Sequence, residues 1–366
     1  MTLLTADSPE RAADGVRVDH AELIDFTAAV FAAHGVPRPR AYEAARALCY
    51  GDLTGMASHG LANLTRLYLP LFADGRVEPR AEPEVVADRG AAVLLDARRA
   101  PGLWSAGAAM DLAADRAESY GIGMVSVRGA THFGCAGHHA LRAVGRGMVG
   151  LVAANCGGQR IARPPGGAVP MLGTNPLSVA APAGPHPPFV LDMSTTAAPT
   201  GRVRQAAREG RALPAGLLAD DAGRPVTDPA AFDAGRAHLL WLGGEAGQHK
   251  GFGLGLAVEV LAALTAGAGL GPLGGAGGRD DDIGFVTVAI APGALHGGTP
   301  GDAAALFGAL LDCPPVDPGE PVRYPGWHEH ERARAAMRDG VPLSRDLYGE
   351  LCEVAARTGV TAPEHR

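Results

Sequence analysis

Lysine is almost missing from this chain. Of its 32 Lys+Arg residues, only Lys250 is a lysine. The arginine and alanine bias is the mark of a GC-rich genome and carries no function by itself. Basic runs are missing too, and the net charge is -7 with a pI near 6.0, which argues against a nucleic-acid binder. The five cysteines (Cys49, Cys135, Cys156, Cys313, Cys352) are odd in number, far apart and without a C-x-x-C, so neither a disulfide framework nor a zinc ribbon is indicated. No basic-then-apolar leader opens the chain, and no apolar run reaches the length of a membrane span. A soluble, cytoplasmic protein with no membrane and no nucleic-acid partner is expected.

Three enzyme signatures are also missing. There is no G-x-S-x-G elbow, which weighs against a serine hydrolase built on Ser58, His59 and Asp192. The 13 histidines include His132, His138 and His139, yet no H-E-x-x-H accompanies them, so no metal site is expected. No G-x-G-x-x-G follows a first strand. Gly121-Ile122-Gly123 precedes a strand instead, so a dinucleotide would have to be bound by a non-Rossmann architecture.

What is present is globular: 366 residues, 47% hydrophobic and 19% charged, with Gly 52 and Pro 29 spread as loop punctuation. That length predicts one large domain or two interleaved ones. The expected division is a helical N-terminal substrate region over 19–120, a cofactor-binding domain over 121–298 and a C-terminal helical return over 299–366 that packs on the N-terminal region. Residues 1–18 read as a loose lead-in. Apolar spacing then predicts a helix through Leu23, Phe26, Val30 and Ala33, a second through Ala41, Ala44, Ala45 and Leu48, and a third over Leu61–Ala73. A strand is expected at Ala91–Leu95 and a helix over Trp104–Ser119. A β-α-β pattern follows: Gly123–Val127, Ala136–Arg146 and Met148–Ala154. Such units build parallel sheets with ligand loops at the strands' carboxyl ends, where His132 falls. Strands Leu177–Ala181 and Phe189–Met193 come next. Gly201–Asp233 reads as polar turns, His238–Trp241 as a short strand and Gly267–Asp282 as a Gly-rich excursion. Gly284–Ala291 reads as a strand, and helices at Asp302–Leu311 and Glu329–Arg338 close the chain.

Two stretches carry chemistry. Lys250 sits in Gln248-His249-Lys250-Gly251-Phe252-Gly253-Leu254-Gly255. Glycines admit close backbone approach and a helix start attracts anions, so this reads as an anion-holding loop. A surface lysine beside a glycine turn is the simpler reading of the stretch on its own. His59 follows Ser58 in Ser58-His59-Gly60. An imidazole titrates near neutrality and can pass a proton to a developing alkoxide or amide anion. An exposed turn histidine is its plain alternative. For Asp192 the alternatives are a histidine-orienting carboxylate and a helix-capping role shared with Ser194.

Five motifs occur in order: Asp52-x-x-Gly55-x-x-Ser58-His59-Gly60; Thr131-His132-Phe133-Gly134; Gly173-Thr174-Asn175-Pro176-Leu177-Ser178; Asp192-Met193-Ser194; and Lys250-Gly251-Phe252-Gly253-Leu254. Across about residues 20–340 the chain resembles the non-Rossmann malate/L-lactate dehydrogenase family. That family also holds sulfolactate, ureidoglycolate and ketogulonate dehydrogenases and the piperideine/pyrroline-2-carboxylate reductases. The resemblance implies an α/β fold of three layers with a mixed sheet, a homodimer and NAD(P)H as cofactor. It implies His59 as proton donor or acceptor with Ser58 and Asp192 as relay partners, and His132 as a second candidate base. It places His132, Phe133, Gly134, Cys135, Ala136, Thr174, Asn175, Pro176, Met193, Ser194, Thr195 and Lys250 around the cofactor, which reverses the plain reading of Lys250. The implied reaction is hydride transfer at C2 of a 2-oxo or 2-hydroxy acid. A cyclic 2-imino acid is the alternative substrate, and a catalytically silent dinucleotide binder a second alternative.

The chain departs from the family pattern at the substrate. Thr54 and Asn63 stand where arginines are usual, and a guanidinium there would suit a substrate carboxylate. Arg66, one turn on, is the expected compensation. Pro325-Gly326-Trp327 stands where Pro-Gly-Glu is usual.

Overall fold

The computed structural model describes residues 15–274 and 282–365. Residues 275–281 of the Gly-rich excursion, and the lead-in up to residue 14, lie outside the described residues. The described part of the lead-in is not loose: Val16–Val18 forms strand β1 and pairs antiparallel with Val341–Leu343.

Helix α1 (His20–Ala33) starts on Asp19, whose carboxylate accepts the Ala21 N–H at 2.8 Å, a cap of about 1 kcal/mol. Helix α2 (Arg38–Leu53) packs on it through Ala41, Ala44, Ala45 and Leu48, all buried. A 3₁₀ turn over Ala57–His59 follows. The helix expected over Leu61–Ala73 forms over 62–73, with a π-helical turn, Leu64–Tyr68, in its middle that runs into α3 (Leu69–Ala73). Strands β2 (Glu84–Asp88) and β3 (Ala92–Asp96) come next, then α4 (Gly102–Tyr120), β4 (Ile122–Ala130), α5 (Ala136–Val144), β5 (Val149–Ala154), β6 (Leu177–Ala181) and β7 (Phe189–Met193).

The segment read as polar turns carries a helix, α6 (Thr200–Arg208), then β8 (Leu218–Ala219), β9 (Pro225–Val226), the short α7 (Ala230–Asp233) and β10 (His238–Leu239). Helix α8 runs over Gly244–Glu259 and continues as a π-helical turn, Val260–Leu264. The last elements are β11 (Ile283–Ile290), α9 (Pro292–Leu295), α10 (Thr299–Leu311), α11 (Trp327–Asp339), β12 (Val341–Leu343) and α12 (Arg345–Thr358). The sequence gives no expectation of β2, α9, β12 or α12.

The main sheet has seven strands in the order β2-β3-β4-β11-β5-β6-β7. The β-α-β expectation needs correction here. β4 and β5 are not neighbours, because β11 lies between them, antiparallel to both. Among the described strands of this sheet, only β3 and β4 pair in parallel. The sheet is therefore mixed, in an α/β fold.

One buried cluster joins α1, α2, the π-helical turn and Trp104 to Ala336, Val341, Leu343, Leu351 and Val354. A second joins α4 and α5 to the sheet through Met110, Val125, Val152 and Phe285. The site lies where the two meet, at the carboxyl end of β4. Among the described residues no helix is long and apolar enough to cross a membrane.

Candidate active site

Asp52 organises the Ser58-His59 turn from the end of α2. Its buried carboxylate accepts the Leu61 N–H at 2.6 Å. A Cβ on Gly60 would collide with that carboxylate, so Gly60 is a steric requirement. Burial pushes the Asp52 carboxyl up to about 7, against the backbone bond from Leu61, which lowers it. The sequence reading quoted Asp52 in a motif but gave it no role.

Ser58 Oγ lies 3.0 Å from Nδ1 of His59, and Asn63 Nδ2 donates to the Ser58 carbonyl at 2.9 Å. Nε2 of His59 has no hydrogen-bond partner among the described residues. The His59 ring stacks on His132, with centroids 6.1 Å apart and planes 20° apart. Burial, and secondarily His132, push the His59 imidazole down to about 4. It is neutral at pH 7.

His132 is held by two donors. The Gly134 N–H reaches its Nδ1 at 3.2 Å, and the Tyr68 hydroxyl is 2.7 Å from the same atom. A backbone N–H can only donate, so Nδ1 is the acceptor and the neutral ring carries its proton on Nε2. Tyr68 was not singled out in the sequence. Its contact is made across 64 residues, and no local pattern announces it. Thr131 fixes the loop: its Oγ1 accepts the Gly102 N–H at 2.8 Å and donates to the Ala100 carbonyl at 3.1 Å.

Three expected site residues are bonded elsewhere, and a fourth, Lys250, is not in the loop expected for it. Asp192 does not hydrogen-bond His59. Its carboxylate accepts the Gly137 N–H at 2.7 Å in the first turn of α5, close to the capping alternative, and burial raises it to about 6. Thr54 turns back onto its own helix, donating to the Tyr50 carbonyl at 2.7 Å. Arg66 is paired with Glu350 at 2.9 Å. Lys250 lies in no loop and at no helix start. It is exposed in the second turn of α8, which begins at Gly244.

The remaining expected cofactor residues form a connected wall. The Phe133 ring lies in the core against His139 and Phe285, so this loop offers backbone rather than that side chain. Cys135 is buried, and desolvation raises its thiol well above its ordinary value. Ala136, also buried, is the first residue of α5. Asn175 is buried with a left-handed backbone (φ 37), and its Nδ2 donates to the Gly255 carbonyl at 2.9 Å and to Glu259 at 2.8 Å. Its Oδ1 has no hydrogen-bond partner among the described residues. The Thr195 N–H and hydroxyl both reach the Thr174 carbonyl at 3.0 Å, and the Pro176 carbonyl accepts the Ala154 N–H at 3.1 Å. Met193 pairs with Leu177 in the sheet, and the Ser194 hydroxyl donates to the Thr196 carbonyl at 3.1 Å. The Leu242 N–H donates to the Thr195 carbonyl at 3.1 Å, which ties the start of α8 to this wall.

Helix α6 closes the site and was missed as a helix. A Cβ on Gly201 would lie 2.6 Å from Ser58 Cβ, so the first turn of α6 abuts the Ser58-His59 turn. No side chain caps that turn. The unpaired Asn175 acceptor and the uncapped α6 N–H groups fit the amide and phosphate groups of a dinucleotide.

A mixed sheet with two stacked imidazoles at the end of a central strand sets this fold apart from the doubly wound dinucleotide class. The model of the malate/L-lactate dehydrogenase family matches residues 18–352, and the chain belongs to that family of oxidoreductases. It is 33% identical over 327 residues to the (2R)-3-sulfolactate dehydrogenase (NADP(+)) of Chromohalobacter salexigens, covering 88% of this chain and 93% of the relative. It is 36% identical over 269 residues to the delta(1)-pyrroline-2-carboxylate/delta(1)-piperideine-2-carboxylate reductase of Pseudomonas syringae pv. tomato, covering 73% and 74%. The structure of malate dehydrogenase from Pyrococcus horikoshii superposes with a TM-score of 0.85 at 27% identity, covering 96% of this chain and 97% of that one.

Proposed function

We propose that the protein is an NAD(P)-dependent dehydrogenase that interconverts a 2-hydroxy acid and its 2-oxo acid, with His59 as the proton-transferring group. The observation that carries this reading is the Ser58–His59 pair stacked on His132, with Nε2 of His59 left as the atom able to exchange a proton. When bound, the nicotinamide ring supplies or takes up the hydride. Everything else falls to the chain. Ser58 holds Nδ1 of His59, Asp52 and Asn63 hold the turn, and α6 and the protein around both rings limit water. In the oxidative direction the neutral His59 accepts the hydroxyl proton at Nε2. In reduction, Nε2 returns it to the forming alkoxide. His132, with its Nε2–H, is placed to donate a hydrogen bond to the same oxygen.

The cofactor reading uses backbone from His132 to Ala136, the Thr174–Pro176 and Met193–Thr195 segments, and the α6 start. Lys250 joins as a cation on α8, the helix pinned to two of these segments through Asn175 and Thr195. Helix α8 and its extension also leave Leu256, Val260, Leu261 and Leu264 between 42% and 60% exposed at helical spacing. This supports a homodimer built on that face.

The test is a panel of pyruvate, oxaloacetate and piperideine-2-carboxylate, each with NADH and NADPH, read by loss of reduced-nicotinamide absorbance. Turnover of an oxo acid is expected. Turnover of the cyclic imine alone moves the assignment to imine reduction, and cofactor binding without turnover on any substrate overturns the enzyme reading.

A further inference from the structure

Two imidazoles share the site, and they are held in different ways. The difference is made by Tyr68. It is the last residue of the π-helical turn Leu64–Tyr68, a kind of turn that recurs at functional sites. Its ring belongs to the buried helical cluster and stands nearly perpendicular to Phe31, with centroids 6.3 Å apart and planes at 85°. Its hydroxyl leaves that cluster and reaches Nδ1 of His132 at 2.7 Å, with the two rings edge to face at 5.7 Å. His132 stands on the loop after β4, so this contact joins the helical layer to the sheet at the site.

A neutral imidazole has one N–H and one bare nitrogen, and a base must present the bare nitrogen to its substrate. Nδ1 of His132 is already spent as an acceptor. It takes the Gly134 N–H at 3.2 Å and the Tyr68 hydroxyl at the shorter 2.7 Å. Gly134 is fixed in turn by its left-handed backbone (φ 78), where a Cβ would lie 3.2 Å from Leu103. A proton on Nδ1 would face the Gly134 N–H, donor against donor, and would force the Tyr68 hydroxyl to turn round. Charging the ring would break the same two bonds. The proton therefore stays on Nε2, which can donate a hydrogen bond but cannot take up a proton. His59 is held otherwise. Its Nδ1 meets the Ser58 hydroxyl at 3.0 Å, and a hydroxyl can accept as well as donate, so Nε2 of His59 can be the bare nitrogen.

We propose that Tyr68 is a positioning residue for the reaction. With the Gly134 N–H it locks His132 as a neutral Nε2–H donor, bars it from the role of base and leaves proton transfer to His59. This rests on the reading of the site as a 2-oxo acid dehydrogenase, in which the Nε2–H of His132 meets the substrate oxygen. It goes beyond that reading by giving a residue of the helical layer control over which histidine does which task.

Tyr68→Phe removes the hydroxyl and keeps the ring that packs on Phe31. The first readout is the tautomer of His132, taken from nitrogen NMR spectra of histidine-labelled protein and assigned by its loss in His132→Gln. The parent should show Nε2 protonated and Nδ1 bare, and Tyr68→Phe should show a mixture of the two tautomers. The second readout is turnover. kcat should fall about tenfold, the size of one lost hydrogen bond, while cofactor affinity, read by nicotinamide fluorescence, stays within about twofold. A parent with the proton on Nδ1 overturns the proposal. An unchanged His132 tautomer in Tyr68→Phe overturns it too, even if turnover falls, because the loss is then structural. Parent-like turnover in a variant whose tautomer has shifted also overturns it, as does a loss confined to cofactor affinity. The NMR measurement needs no substrate and so separates this proposal from the enzyme assignment. A parent that reduces no oxo acid overturns that assignment, and a shifted tautomer in Tyr68→Phe then upholds the lock by itself.

Discussion

The neutrality of His59 has a consequence that can be measured. Its imidazole is pushed from 6.5 down to about 4. At about 1.36 kcal/mol per unit, the charged ring is disfavoured by roughly 3 kcal/mol, and on the order of one molecule in a thousand carries it at pH 7. The free enzyme is therefore poised as a base. Oxidation of a 2-hydroxy acid should show a flat kcat/KM from pH 8 down to about pH 5, without the inflection near 6.5 that an ordinary histidine would give. The same shift is a stability statement. Between pH 4 and 6.5 the unfolded chain binds the proton that folded His59 refuses, so the His59 contribution to stability falls as pH drops through that window. The direct assay is a histidine NMR titration in which the His59 resonance is identified by its loss in His59→Ala. That variant should lose turnover by about 10²–10⁴-fold while keeping its cofactor affinity. A His59 resonance titrating near 6.5, or a His59→Ala variant with normal turnover, would refute the reasoning.

Two further outcomes follow from the same geometry. Asp52→Asn keeps an acceptor for Leu61 but cannot ionise. Because the native carboxyl is raised to about 7, the parent loses stability as pH rises from about 4 to 7, so melting curves should show the variant ahead by up to roughly 4 kcal/mol at pH 8 and by much less at pH 5. An unchanged difference between the two pH values would show that Asp52 is not protonated in the fold. The double change Leu256→Glu, Leu264→Glu should convert a dimer to monomer in sedimentation velocity, and a dimer that survives it would place the interface elsewhere.

What the sequence disclosed and what it hid divide along locality. Ser58 and His59 were visible because they are adjacent, and β6 and β7 matched residue for residue because each is bounded by Gly, Pro or polar turns. The Lys250 stretch misled. Glycine costs about 1 kcal/mol in a helix interior, so three of them read as a loop. The fold overrides that propensity because a Cβ on Gly251 would collide with Leu242 and one on Gly255 would lie 2.5 Å from the Trp241 ring. Helix α6 hid because it buries only Val203 and Ala206, too few to set a period. Asp192 reads as a relay acid from its place at a strand end and from the family resemblance. Its bond to Gly137 depends on where α5 starts in space.

The placement of β11 bears on how the chain is made. It is the middle strand of seven, bonded to β4 on one side and β5 on the other, yet it begins at Ile283. The two halves of the sheet emerge from the ribosome well before the strand that joins them. Until then, β4 and β5 each present an unpaired inner edge, the kind of surface that recruits other chains. The long sequence separation of these pairings also slows closure of the sheet. The His132 loop hangs from the end of β4, so it acquires its final support only when that late strand arrives.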